Sequence, residues 1–258
     1  DAQAPFAPAP IDEVVAAIRA ERPAVVFAPH VETASGMILP DEYLAAVAEA
    51  THEVGGLFVL DCIASGAIWV DMVACGIDVL ISAPQKGWSG PPCCALVMLS
   101  PRARERVDAT TSSSFACDLK KWLQIMETYE NGAHAYHATM PTDALTRLRD
   151  VMLESRQQGF EALRAAQWEL GRKVRAALRA RGFASVAAEG FQAPGVVVSY
   201  TRDPEIQSSR AFAGQGLQTA AGVPLPCDEP QGFYTFRMRL LGLEKLRHVD
   251  RTVGHVEA

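Results

Sequence analysis

The sequence predicts an α/β chain: a large domain built on a mostly parallel sheet, joined to a smaller α+β domain at the C-terminal end. Three observations carry this. Short apolar runs alternate with amphipathic helical stretches through roughly the first hundred residues. The pattern turns purely helical from Thr142 to Gly182, and shorter strand-like runs return afterwards. Strands alternating with helices imply parallel pairing with both sheet faces covered.

Asp12 is expected to cap a short helix carrying Val14, Val15 and Ile18, which Pro23 stops before the apolar run Ala24 to Ala28. Asp41 opens a second helix with Leu44, Val47 and Ala48 on one face, ended near Gly55 and Gly56, and Leu57 to Leu60 follows as a buried strand. A short crossover around Val73 leads to the run Asp78 to Ala83. The Gly/Pro-rich turn GWSGPP then precedes the apolar run Cys94 to Leu99. From Thr142 to Gly182, Leu145, Leu148, Met152, Phe160, Leu163, Leu170, Val174 and Leu178 recur at helical spacing, which predicts one long connecting helix. Gly195 to Tyr200, Gly216 to Ala220 and Thr235 to Leu240 read as strands of the smaller domain, with a terminal helix around Val249 to Val256. The expected division is 1–150, a connector at 151–182, and 183–258.

Composition narrows the function classes. A hydrophobic fraction of 49% with 21% charged residues is that of a folded globular chain. No apolar run reaches the ~20 residues of a membrane helix. A formal net charge of -6 without a Lys/Arg block argues against a nucleic-acid partner, since such binding rests on neutralised phosphates. The six cysteines include no Cys-x-x-Cys pair and no His at zinc-ligand spacing, so no metal site is expected. They read as buried, reduced thiols suited to a reducing compartment such as the cytoplasm. The partner expected is a small molecule.

In open α/β sheets, ligands sit beyond the carboxyl ends of the strands, so the polar residues closing each apolar run are the candidates. These are His30, Glu32 and Thr33 after the first run, Asp61 after the second, and Gln85 and Lys86 after the third. A lone lysine between an apolar strand and a Gly/Pro loop is partly desolvated, which lowers its pKa and frees the amine for Schiff-base chemistry. Asp61 could hold a protonated ring nitrogen. The residues alone do not decide: Lys86 could be a solvated or salt-bridged lysine and Asp61 a helix cap, and His30 reads first as a hydrogen-bonded core or loop histidine.

Five ordered motifs, HVETASG at 30–36, DCIAS at 61–65, SAPQKGWSGPP at 82–92, AYHATMP at 135–141 and FRMRLLG at 236–242, resemble the alanine/serine–glyoxylate group of class V, fold-type I aminotransferases. The resemblance runs from about residue 10 to the end. It implies pyridoxal phosphate as cofactor, carried by Lys86, which also serves as general acid/base. Asp61 is then the partner of the pyridine nitrogen, Thr33 a hydroxyl near the ring, His30 a further cofactor neighbour and Gln85 a phosphate contact. Tyr136 and Thr139 match residues that reach the neighbouring subunit's phosphate, so a homodimer is implied. Arg237 matches the arginine that grips the substrate carboxylate. The implied substrates are a small amino acid, alanine or serine, and a 2-oxo acid such as glyoxylate or pyruvate.

Two departures stand out. Family members carry roughly a hundred further residues ahead of the aligned part, including a glycine-rich phosphate loop and a ring-stacking aromatic, so this chain is expected to be N-terminally shortened. The family's small residue two positions after the substrate arginine is Arg239 here, and strand alternation puts it on Arg237's face. Two other readings are kept. One is a cysteine desulfurase using Cys227 in PLPCDEP; the other is a catalytically silent relative with an interaction role. Trp88, Trp122, Cys93 and Cys94 are expected to pack rather than react.

Overall fold

The computed structural model describes residues 4–257 except Asp228 and Pro230, so part of the PLPCDEP motif lies outside the described residues. The first half follows the predicted alternation: α1 (Ile11–Glu21), β1 (Val25–Pro29), β2 (Val31–Glu32), β3 (Met37–Ile38), α2 (Asp41–Glu53), β4 (Leu57–Asp61), β5 (Val79–Ser82) and β6 (Leu96–Leu99). Asp12 does not cap α1; Pro10 occupies that position and Asp12 sits in the first turn, where an acid favours the helix dipole. The crossover between β4 and β5 is a set of turns rather than a helix.

Among the described residues these strands form a four-stranded sheet in the order β1-β4-β5-β6. The pairs β1–β4 and β4–β5 are parallel, while β6 returns antiparallel to β5 with Ser82 opposite Leu96. One sheet face, carrying Phe58, Leu60 and Leu80, packs with Ile18, Leu44, Val47 and Ala48 of α1 and α2. The opposite face departs from the expected double covering: Val25 and Phe27 are 52% and 59% exposed, and Leu57, Val59 and Val79 are only partly buried. Buried Asp78, just before β5, accepts hydrogen bonds from Phe58 N and Ser100 Oγ and lies 2.8 Å from His52 Nε2, tying β4, β5 and α2 together.

Beyond β6 come α3 (Pro101–Ala109), α4 (Leu119–Glu130), α5 (Thr142–Gln158) and α6 (Phe160–Ala180). The predicted single connector is two helices, because Gly159 adopts φ 94 and ends α5. Helical spacing continues across that break, which is why the sequence conceals it. No residue of α4 is buried, and Phe115, Met126, Tyr129 and Tyr136 of this region are exposed.

The last part holds β7 (Val196–Tyr200), α7 (Pro204–Gln207), α8 (Arg210–Gly214), β8 (Ala220–Ala221), β9 (Thr235–Arg239), α9 (Leu243–Arg247) and α10 (Val249–Glu257). The expected strand at Gly216 to Ala220 is reduced to the short β8, on the edge of an antiparallel sheet ordered β7-β9-β8. Phe236 and Met238 of β9 enter a core with Leu163, Leu170 and Val174 of α6. That leaves Arg237 and Arg239 on the other face. A further cluster joins Val31, Ala64 and Ile68 to Val196 and Val198, so the two sheets meet where β1 and β4 end. No helix among the described residues is long and apolar enough to cross a membrane.

The cysteines only partly fit the expectation of burial. Cys62 and Cys75 are buried and Cys93 and Cys94 half-buried, but Cys117 and Cys227 are exposed. Trp88 packs on Trp69 with ring centroids 5.0 Å apart, and Trp122 lies 4.9 Å from the His137 ring.

Candidate active site

Parallel pairing brings the carboxyl ends of β1, β4 and β5 side by side: Pro29 pairs with Asp61, and Asp61 with Ile81. The polar residues closing those runs therefore gather at one sheet edge. A cavity of about 350 Å³ opens there, lined among others by Glu32, Thr33, Asp61, Lys86 and Arg239, with Val196 and Leu241 as apolar wall.

The loop holding Lys86 is fixed on both sides. Gly90 N donates to Pro84 O at 2.8 Å, and Leu243 N donates to Ser89 Oγ at 2.8 Å, tying the loop to the start of α9. Gly87 lies against the backbone of Gly66, where an added Cβ would sit 2.4 Å from Gly66 O. Any larger residue at 87 would push Lys86 away from its seat. Partial burial lowers the pKa of Lys86, and the charge of Arg239 lowers it further, so the neutral amine is more accessible than in water.

Asp61 Oδ1 accepts from Ile63 N at 2.8 Å, leaving Oδ2 uncommitted among the described residues. Both oxygens of Glu32 are engaged: Oε1 accepts from Ala34 N, and Oε2 from Ser35 N and Ser35 Oγ. This holds the Thr33 turn in place. Arg237 donates from Nε to Ala221 O at 2.8 Å and from Nη1 to Thr33 O at 3.4 Å. Its pKa is lowered by burial first and by Arg239 next, with Glu32 opposing.

Arg237 is not itself among the residues that line the cavity, although Thr33 and Arg239 beside it are, and the other predicted residues lie elsewhere. His30 is 1% exposed, does not line the cavity, and has Nδ1 2.7 Å from Ser65 Oγ. Gln85 is exposed and outside the cavity lining. Tyr136 and Thr139 stand on an exposed loop, their hydroxyls 3.0 Å apart. Cys227 is not among the lining residues. Sequence reasoning missed the roles of Glu32 as turn anchor and Gly87 as packing contact; the Glu-x-x-Ser spacing and the glycine after the lysine were the available signals.

Burial pushes the His30 imidazole down to about 4. A histidine with an unfolded pKa near 6.5 and this folded value binds its proton only in the unfolded chain over that interval. Its contribution to stability is complete above about pH 6.5 and is lost as pH falls toward 4. The expected loss between pH 7 and pH 5 is about 2 kcal/mol. Denaturant melts of the native chain and His30→Asn at both pH values check this: the variant should lack that part of the slope. An imidazole found by NMR to titrate near 6.5 in the folded chain contradicts it.

The class-V aminotransferase family profile matches residues 8–202, and the chain belongs to that family. Among curated proteins it is 27% identical over 235 residues to a protein named soluble hydrogenase, small subunit, from Synechococcus sp. (strain PCC 6716), covering 90% of this chain and 58% of that one. It is 30% identical over 176 residues to alanine–glyoxylate aminotransferase of Felis catus, covering 66% and 40% respectively. The chain thus spans only about half the length of these relatives. The crystal structure of alanine–glyoxylate aminotransferase from Nostoc sp. superposes with a TM-score of 0.80 at 20% identity, covering 99% of this chain and 66% of that one, which establishes the shared fold.

Membership in this family implies pyridoxal phosphate as cofactor. The lining of the cavity suits the ring end of such a group: Asp61, with one carboxylate oxygen uncommitted, Lys86, with a lowered pKa, and Thr33 all contribute to it. Of the residues the resemblance assigns to the phosphate, Gln85, Tyr136 and Thr139, none lines this cavity.

Proposed function

We propose that this chain carries the lysine-bearing half of an aminotransferase site that moves an amino group between a small amino acid, alanine or serine, and a 2-oxo acid such as glyoxylate or pyruvate. The observation that supports this most directly is the convergence of Lys86 and Asp61, from adjacent strand ends, on one cavity. Pyridoxal phosphate, when bound, supplies the electron sink that weakens the Cα–H bond of the amino acid.

The chain's own residues do the rest. Lys86 Nζ would hold the cofactor, and its amine would carry the proton to and from the substrate Cα. Its lowered pKa keeps a share of the amine neutral for that task. Asp61 would hold the proton on the ring nitrogen with Oδ2, while Oδ1 stays on Ile63 N and fixes the carboxylate's orientation. The Thr33 hydroxyl contacts the ring. Arg237, steadied by Ala221 O and Thr33 O, offers its remaining donors to the substrate's α-carboxylate.

The reading extends to a homodimer in a reducing compartment. The exposed aromatic surface of Phe115, Tyr129 and Tyr136, and the unburied α4, suit an interface through which Tyr136 and Thr139 reach a neighbouring cofactor's phosphate, with Gln85 serving the phosphate in its own subunit. No specific observation favours a desulfurase, since Cys227 does not line the cavity.

Asp61→Asn tests the assignment. The variant should retain cofactor but turn over about 10²-fold more slowly, the loss of one charge-assisted hydrogen bond in the transition state. Unchanged turnover would reduce Asp61 to an anchor for the Ile63 turn.

A further inference from the structure

We propose that Arg239 selects substrates that carry a second anionic group, a carboxylate or a phosphonate, in addition to the α-carboxylate. The inference rests on the aminotransferase reading of the cavity and names its substrate class more narrowly than alanine or serine.

Arg239 lines the cavity together with Lys86, yet its exposed guanidinium makes no hydrogen bond or ion pair with any described residue. The nearby acids do not neutralise it. Glu32 has both oxygens bound within its own turn, and Asp61 is the expected counter-charge of the ring nitrogen. Arg239 sits close enough to depress the pKa of both Lys86, which lines the cavity with it, and Arg237, which stands beside the cavity on the same face of β9. A ligand with a single carboxylate would occupy Arg237 and leave Arg239 uncompensated. A dianion would neutralise both.

The spacing suits such a ligand. Arg237 and Arg239 project from the same face of β9, whose other face is held in the core by Phe236 and Met238. Alternate residues of a strand stand about 7 Å apart. Long side chains at that spacing can converge on the two anionic groups of a short dianion, with Val196 and Leu241 offering apolar contact to its carbons. Guanidinium groups bind planar oxyanions in a bidentate fork, so carboxylate and phosphonate are both suitable.

The test uses the full chain, with and without pyridoxal phosphate, and unreactive probes: acetate, maleate and phosphonoacetate. Affinities are read by thermal shift and equilibrium titration. The native chain should bind maleate or phosphonoacetate about tenfold more tightly than acetate, the scale of one charge-assisted contact. The ratio of the two dianions then identifies the preferred group. Arg239→Met should abolish that preference while leaving acetate affinity unchanged, whereas Arg237→Met should weaken all three probes.

Equal affinity for the three probes, or a preference that survives Arg239→Met, overturns the proposal. So does a variant that loses affinity only for inorganic phosphate and pyridoxal phosphate, since Arg239 would then serve the cofactor. Borohydride fixation of cofactor at Lys86 is followed in parallel. Failure of fixation with a persisting dianion preference would refute the aminotransferase reading and leave the anion site standing.

Discussion

Lys86→Ala is expected to abolish transamination, a loss of ~10⁴-fold or more, because covalent attachment and proton transfer are removed together. The variant should also lose the absorbance band near the visible edge and any cofactor fixed by borohydride. Its fold should persist. Lys86 is half-buried on a loop whose position depends on Gly90 N to Pro84 O, on Leu243 N to Ser89 Oγ and on the Gly87–Gly66 contact, none of which uses the lysine side chain. Stability should therefore change by no more than about 0.5 kcal/mol. Retained activity in the variant would remove Lys86 from the mechanism, and a collapse in stability would make it a structural lysine.

The second large effect concerns the uncovered face of the main sheet. Val25 and Phe27 of the edge strand β1 are more than half exposed and continue into partly exposed Leu57, Val59 and Val79 on the neighbouring strands. Contiguous apolar surface of this kind on an edge strand invites association with other chains. The 258-residue chain by itself is expected to self-associate in a concentration-dependent way and to bind pyridoxal phosphate weakly. Phe27→Lys should reduce the associated fraction several-fold, while leaving stability within about 0.5 kcal/mol because the side chain is already in water. Sedimentation over a range of concentrations decides this. A monodisperse native chain with tight cofactor binding, indifferent to Phe27→Lys, would show that the face is not adhesive and the site is sufficient as it stands.

Much of the fold was legible because local pattern and burial agree. The alternation that places Leu44, Val47 and Ala48 on one face of α2 is the same alternation that buries them under Phe58 and Leu60. Features that depend on backbone conformation or on partners distant in sequence were not. The break at Gly159 keeps helical spacing on either side, β6 has no local signal of antiparallel pairing, and the shortness of β8 follows from its edge position against β9. At the site, the rule that ligands gather at strand ends picked out Thr33, Asp61 and Lys86, which the structure brings to one cavity. It also picked out His30, which faces inward to Ser65. Motif resemblance proposed Gln85, Tyr136 and Thr139, and the structure places all three outside the cavity lining. Arg239 was visible as an unexpected arginine, but only the structure shows that it lines the cavity while its guanidinium makes no hydrogen bond or ion pair with a described residue.

The measurement that bears most directly on the central claim is peptide mapping after borohydride reduction of the chain with pyridoxal phosphate. One dominant pyridoxyl adduct is expected, on the peptide containing Lys86, lost in Lys86→Ala and retained in Asp61→Asn. Labelling spread over the surface lysines, or an adduct that survives Lys86→Ala undiminished, would contradict it.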